Sequence, residues 1–467
     1  MKSFYLSDQF SQSLVEFQPN IIRDKNNLHI VLAAISILSF VLFFSFARSS
    51  YGLWIILICA LWCLYNPYLF VVVTLPSLMV LSDAPAFPGS TWSVLRLVFI
   101  IIVVGIALRP KKLVKTIKMI PPFLLFSMLA LLIIYFLSGL YNGWQPYVSE
   151  KLTSHILRIG LVLIVFVSIF TLDNIKLLFW GLTLQGIVMA VSGLIIWNEF
   201  GTFMAIRYIR VGYAMGNPLL IFASYGVSYA TFNVTSGLAC ISLGTMATGL
   251  KKGFFLLVGT LIILSSIMSG RRAAVIATIL ALLLILYLLR NKNAVLLLLI
   301  LILVSVPLAA GGYFDQFFSS RETIMSEFTG GGTGRLDLIK TGFNKWLRSP
   351  VWGYGPGSQP EVYDEAHGAS HNTLISALLE GGIFAIFPVL FILAGIVLQT
   401  IRTSHVIRYH QADVYYPIAF LASLANILVL SLISGDIIAT NNGIILLTIL
   451  TAYNTKTLIN LIDKEKS

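Results

Sequence analysis

Two histidines, His367 and His371, stand in the only long polar interruption of a very apolar chain, residues 312–372. A neutral imidazole can take a proton from a hydroxyl nucleophile. The same stretch holds a glycine hinge (Gly330, Gly331, Gly332), a basic segment from Arg335 to Arg348 and a Gly/Pro-rich run from Ser349 to Pro360. Loops carried on a rigid scaffold are where chemistry tends to sit. His367 and His371 are four residues apart, with Asp364 and Glu365 nearby, so a shared metal is conceivable. Pro360 and Gly368 argue against a helix there, and no HExxH is present, so the expectation is no metal and no cofactor. No pair of carboxylates suited to glycoside hydrolysis can be singled out. Arginines supply the other chemistry: Arg96, Arg158, Arg207, Arg210, Arg271, Arg272 and Arg335. A planar guanidinium is suited to bidentate phosphate binding.

The elements that must position these residues are membrane helices. The chain has 467 residues, 58% hydrophobic and 11% charged. A soluble domain carries about 25% charged residues, so a water-facing surface cannot be covered. The fold class expected is all-α, a polytopic transmembrane bundle of about 12–14 helices with one large external loop containing short interfacial helices. The expected order is a cytoplasmic tail over 1–27, a bundle over 28–311, the loop over 312–372, further transmembrane helices over 373–457 and a cytoplasmic tail over 458–467. The stretch 51–82, broken at Asn66-Pro67, reads either as two spans or as a re-entrant hairpin. The run 217–249 is too long for one span and suggests a half-helix. The first apolar run follows a polar segment, which argues against a cleaved signal peptide. Cys59, Cys63 and Cys240 lie in apolar runs and form neither a disulfide framework nor a zinc signature.

Orientation follows from the lysines and arginines of short loops. Arg109 to Lys118, Lys251-Lys252, Arg290 to Lys292, Arg402 to Arg408 and Lys464 to Lys466 fall on one side with both termini. That side reads as cytoplasmic. The loop 312–372 then lies outside, with 199–216, 142–152, 83–92 and the turn at Gly270. Against this frame the seven arginines named above are on the wrong side or within a span. Arg96 and Arg158 sit inside apolar runs, read as a few residues from the outer ends. Charges within a membrane segment are costly unless paired and mark function. Single cations such as Arg48 and Arg348 read as snorkelling. From Arg335 to Arg348, Leu336, Ile339, Phe343, Trp346 and Leu347 recur at helical spacing, as in a helix lying in the membrane interface. Arg335 in its first turn is unfavourable against the helix dipole unless an anion binds there.

Several of these runs resemble one family. His371-Asn372 is followed, nine residues on, by Gly382-Ile-Phe-Ala385, with Glu380-Gly381 just before. Upstream stand Gly334-Arg335, an aromatic-rich helix and Ser349-Pro350-Val-Trp-Gly353-Tyr-Gly355. Ser269-Gly-Arg271-Arg272-Ala and Arg210-Val-Gly-Tyr-Ala-Met-Gly-Asn217-Pro218 precede them. In order and placement these runs resemble the O-antigen ligase and O-antigen polymerase superfamily of bacterial membrane proteins. Alanine at position 385 departs from that family's Gly, Thr or Val, and the polymerase-type spacing of arginine and glycine is absent.

The resemblance implies a multi-pass glycosyltransferase of the bacterial cytoplasmic membrane, with its active site facing the exterior. The donor would be a glycan on undecaprenyl pyrophosphate, and the acceptor another lipid-linked glycan (polymerase, slightly preferred) or lipid A–core (ligase). Transfer would be inverting and metal-independent. His371 would be the base and Arg335 a second catalytic residue. Arg210, Arg271, Arg272, Arg207, Arg158 and Arg96 would bind pyrophosphate, with Asn372, Glu380 and Gly382 in support. A flippase and a chain-length regulator are the protein partners such a system implies; nucleic acid is not one. A transporter or flippase of the same lipid would use the same arginines without chemistry, but internal repeats and midplane charges are missing. A structural membrane partner of such a machine is the third reading.

Overall fold

The computed structural model describes residues 60–63, 66–81, 94–108, 114, 116–171, 176–201, 226–245, 247–268, 278–281, 283–284, 335–363, 372–409 and 441–466. Among them every regular element is a helix. In chain order these are α1 Pro67–Leu81, α2 Val94–Ala107, α3 Pro122–Tyr141, α4 Pro146–Thr171, α5 Lys176–Phe200, α6 Gly226–Thr245 and α7 Gly249–Met268. Then come α8 Arg335–Trp346, α9 Gln359–Val362, α10 Thr373–Tyr409 and α11 Asn441–Lys466. Within α3, α4, α5, α7 and α10 lie segments long and apolar enough to cross a membrane: Pro122–Tyr141, Pro146–Phe170, Leu177–Phe200, Gly249–Met268 and Thr373–Val406. The chain is a polytopic helical membrane protein, as composition required.

The core sits around α1. Asn66 starts this helix: its Oδ1 accepts from the Leu69 N–H at 3.2 Å, and Pro67 occupies the position where a missing N–H costs nothing. Tyr68, Leu69, Phe70, Val71, Val72 and Leu75 are all buried. A helix apolar on every side is one surrounded by others. It packs against α2, α4, α5, α6 and α11. α5, α6 and α7 pack against one another, while α3 and α11 each pack against α4 and α10. Small residues set the closest crossing. A Cβ on Gly237 of α6 would lie 2.7 Å from the Gly259 carbonyl of α7, and a Cβ on Gly259 would lie 2.7 Å from that of Gly237. Without a hydrophobic driving force between helices in lipid, such close backbone approach is a main source of association. α3 turns Phe126, Leu129, Ile133, Phe136, Leu137 and Leu140 outward, the apolar exterior that a bilayer requires.

Several boundaries differ from those read off the sequence. The external loop expected over 142–152 is only the turn 142–145, because Pro146 begins α4. Polar residues of its first turns still form helix: Ser149 and Glu150 face outward. Arg158 therefore lies near the middle of α4, rather than a few residues from its end. α10 runs on to Tyr409 and α11 to Lys466, since Arg402 and Lys464 do not interrupt helical hydrogen bonding. Within the run 217–249 the described helix is α6, Gly226–Thr245.

Candidate functional site

The first segment of α10 is the platform. Asn372 caps it, its Oδ1 accepting from the N–H of Leu374 at 2.9 Å and of Ile375 at 3.1 Å. That satisfies two of the donors a helix start leaves open. His371 precedes this cap in the chain but lies outside the described residues, with His367, Asp364, Glu365, Arg207, Arg210, Arg271 and Arg272. Ten residues into the platform the helix breaks. Gly382 has φ 66° and ψ −160°, a conformation essentially reserved for glycine.

The break receives the loop 349–358. The Tyr354 N–H donates to the Leu379 carbonyl at 2.7 Å, and the Ile383 N–H to the Pro350 carbonyl at 2.9 Å. A kink frees backbone groups, and here the loop satisfies them. The approach is backbone against backbone. A Cβ on Gly382 would collide with the Val351 carbonyl, and one on Gly353 (φ 67°) would lie 2.5 Å from the Leu379 carbonyl. The glycines that sequence reading took as a turn-rich loop are thus required by contact. Ser138 of α3 donates to the Trp352 carbonyl at 2.6 Å and is 2.9 Å from the Glu380 carbonyl. Asn142 Nδ2 reaches the Gly353 carbonyl at 3.4 Å.

α8 also packs on this platform. Leu338, Ile339 and Trp346 lie against Val362, Tyr363, Ile375, Leu378 and Leu379. The Tyr363 phenol donates to the Leu338 carbonyl at 3.0 Å. Burial pushes that phenol up to about 12, so it remains a donor at physiological pH. Tyr354 Oη donates to the Lys345 carbonyl at 2.8 Å. The apolar stripe of α8 is therefore divided: Ile339 and Trp346 face α10, while Phe343 and Leu347 remain exposed, 44% and 54%. Arg335 is the first residue of α8, and Arg348 is exposed just beyond its end.

Glu380 is buried, and its Oε1 accepts from Lys151 Nζ of α4 and from Gln359 Nε2 of α9, each at 2.9 Å. Of the other predicted arginines, Arg158 is buried in α4 and Arg96 is exposed on α2. Among the described residues, no three His, Cys, Asp or Glu side chains converge as a metal site would need. Lys151 and Gln359 went unnoticed in the sequence. The signal was present: Lys151, His155 and Arg158 recur at helical spacing, and all three lie inward. Reading Lys151 as part of a loop concealed it. His155 is a core histidine, its Nε2 3.0 Å from the Met128 carbonyl and its ring edge-on to Tyr135.

Residues 255–392 match the family model Wzy_C, described as O-antigen ligase. Over these residues the chain is similar to that family. The match runs from α7 through the polar loop to the middle of α10, just under a third of the chain. No curated protein matches. The matched stretch is thus similar to O-antigen ligases and lies in a polytopic helical membrane protein. It takes in Arg271, Arg272, Arg335, His371, Asn372, Glu380 and Gly382. Arg96, Arg158, Arg207, Arg210 and Lys151 lie outside it.

Proposed function

We propose that the protein is a polymerase-type glycosyltransferase acting on the outer face of the cytoplasmic membrane. The donor is a glycan on undecaprenyl pyrophosphate, and the acceptor is a hydroxyl of another lipid-linked glycan. His371 takes the hydroxyl proton. The oxygen attacks the anomeric carbon as its bond to the pyrophosphate oxygen breaks, with inversion. Undecaprenyl pyrophosphate leaves as an anion, and the arginines stabilise the charge that develops on it. Arg335 and His371 act at the reacting centre; Arg210, Arg271 and Arg272 hold the pyrophosphate, with Arg207, Arg158 and Arg96 contributing to its approach.

The observation that carries this reading is the seating of the loop on the kink of α10. Backbone hydrogen bonds of the following loop and apolar side-chain packing of α8 itself hold α8, whose first residue is Arg335, against the helix that His371 precedes. Positioning is what such a transfer asks of a protein, because its leaving group is already a stable anion. The description of the matched family favours a second reading, ligation to lipid A–core. Purified protein given lipid-linked glycan alone separates them. Elongated lipid-linked product supports polymerisation. Product only when lipid A–core is added supports ligation. Movement of the lipid between leaflets with no new glycosidic bond would reject both.

A further inference from the structure

The segment 364–371 carries both loop histidines, and its flanks are tied to one another. Gln359 of α9 stands before it and Glu380 of α10 after it, and Gln359 Nε2 donates to Glu380 Oε1 at 2.9 Å. Lys151 Nζ donates to the same oxygen at 2.9 Å. The lysine side chain is 19% exposed and the glutamate 1%. Glu380 Oε2 is buried, and among the described residues nothing donates to it. Tying Gln359 to α10 needs only a neutral acceptor, which glutamine at position 380 would provide. A carboxylate is costlier to bury and tolerable only when paired. The charge therefore serves to recruit Lys151, and with it α4, a helix outside the stretch matched by the family model.

We propose that Lys151 is a positioning residue for the transfer. Through Glu380 it joins α4, α9 and α10 in one clasp, and so fixes the span between the two flanks of the segment that carries His371. The clasp lies roughly 12 Å along α10 from Asn372, at 1.5 Å rise per residue. It acts through the rigid helix, and Lys151 touches no substrate. This inference rests on reading His371 as the base.

The test uses the full-length protein with Lys151→Met, Lys151→Arg and Glu380→Gln. Turnover and KM are measured with lipid-linked glycan, and thermal stability in detergent is recorded alongside. Maleimide labelling is followed at Ser370→Cys, after Cys59, Cys63 and Cys240 are replaced by alanine. Lys151→Met and Glu380→Gln are expected to lower kcat at least about tenfold, the loss of one charge-assisted contact, while KM changes little. Labelling at position 370 should quicken, and Lys151→Arg should recover most of kcat. Lowered stability with unchanged kcat per folded molecule would make the clasp merely structural and overturn the proposal. So would an unchanged labelling rate. If Lys151→Met does not fold, Lys151→Arg and Glu380→Gln decide by the same readings. If the wild-type protein forms no glycosidic product, the proposed function fails, while labelling still decides the clasp.

Discussion

Asn372 Oδ1 caps α10 by accepting from the Leu374 and Ile375 amides, a structural role, and the proposed mechanism gives the chemistry of the His-Asn pair to His371. His371→Ala should lower transfer by about 10²–10⁴-fold, the range for loss of a general base, with membrane insertion and donor binding retained. His367→Ala should be milder. Normal polymer in a deletion strain carrying His371→Ala would remove that residue from the mechanism. Arg335 and Arg348 bracket α8 and make a matched pair. Arg335→Lys should lose at least about tenfold, since lysine cannot reproduce a bidentate contact, and Arg335→Ala should lose more. Arg348 is exposed, and Arg348→Ala should be nearly silent on a glycan ladder. Equal damage from both alanines would mean that the loop binds by diffuse charge. Activity should survive EDTA; loss restored by magnesium, manganese or zinc would bring Asp364, Glu365 and His367 in as ligands. At this scale the sequence points to residues through chemical type and position, which is why the arginines and His371 could be proposed from it. Lys151 and Gln359 were not. Spacing with His155 and Arg158 marks only an inward face for Lys151; the role of both residues depends on meeting Glu380 across about 230 and 20 residues of chain respectively, and such a pairing leaves no local pattern.

The kinked α10 and the loop seated on it form one unit, joined by backbone hydrogen bonds that only glycines allow. Gly382→Ala places a methyl group against the Val351 carbonyl and forces a φ of 66° on an ordinary residue. The backbone alone costs about 1–3 kcal/mol, before the collision is counted. The expected result is a lower melting temperature in detergent and loss of transfer, because the loop can no longer seat. Gly143→Ala is the control: its φ is also positive, 83°, but nothing lies within 4 Å of a Cβ there. It should lose stability from strain while keeping most transfer. Equal activity in the two variants would mean that the seat does not matter for chemistry. The spans α3, α5 and α7 were readable because twenty apolar residues permit little else. The kink was not. Apolar residues run to Leu379 and resume at Ile383 on a continuing helical pattern, so only the contact with the loop reveals why a glycine stands at 382.

Among the described residues, the cations of the short helix connections lie at the end of the bundle opposite the loop. The end of α4 lies beside the later turns of α11, which pair with those of α10: Lys456 Nζ donates to the Phe170 carbonyl at 3.3 Å, and Asn454 Nδ2 to Thr400 Oγ1 at 2.9 Å. Arg402 and Lys464 follow on α10 and α11. The starts of α5 and α7 meet as well, with Trp180 and Phe255 ring centroids 5.3 Å apart, just beyond Lys251 and Lys252. α3 begins near the same level, where a Cβ on Gly395 of α10 would touch Phe123, and Lys118 precedes it. The opposite end holds the turn 142–145, Lys151, the loop 349–358 and the start of α10. Cationic short connections thus gather at one end and the candidate site at the other, the arrangement expected if the cationic end is cytoplasmic. The side chains of Val351 and Leu250 mark the two ends, 48% and 95% exposed, and a cysteine at either should tolerate a label. In spheroplasts of an expressing strain, with the native cysteines replaced, Val351→Cys should react with a membrane-impermeant maleimide. Leu250→Cys should react only after permeabilisation. The reverse pattern would put the loop, Glu380 and the approach to His371 in the cytoplasm, and an outward-facing transfer would then be untenable.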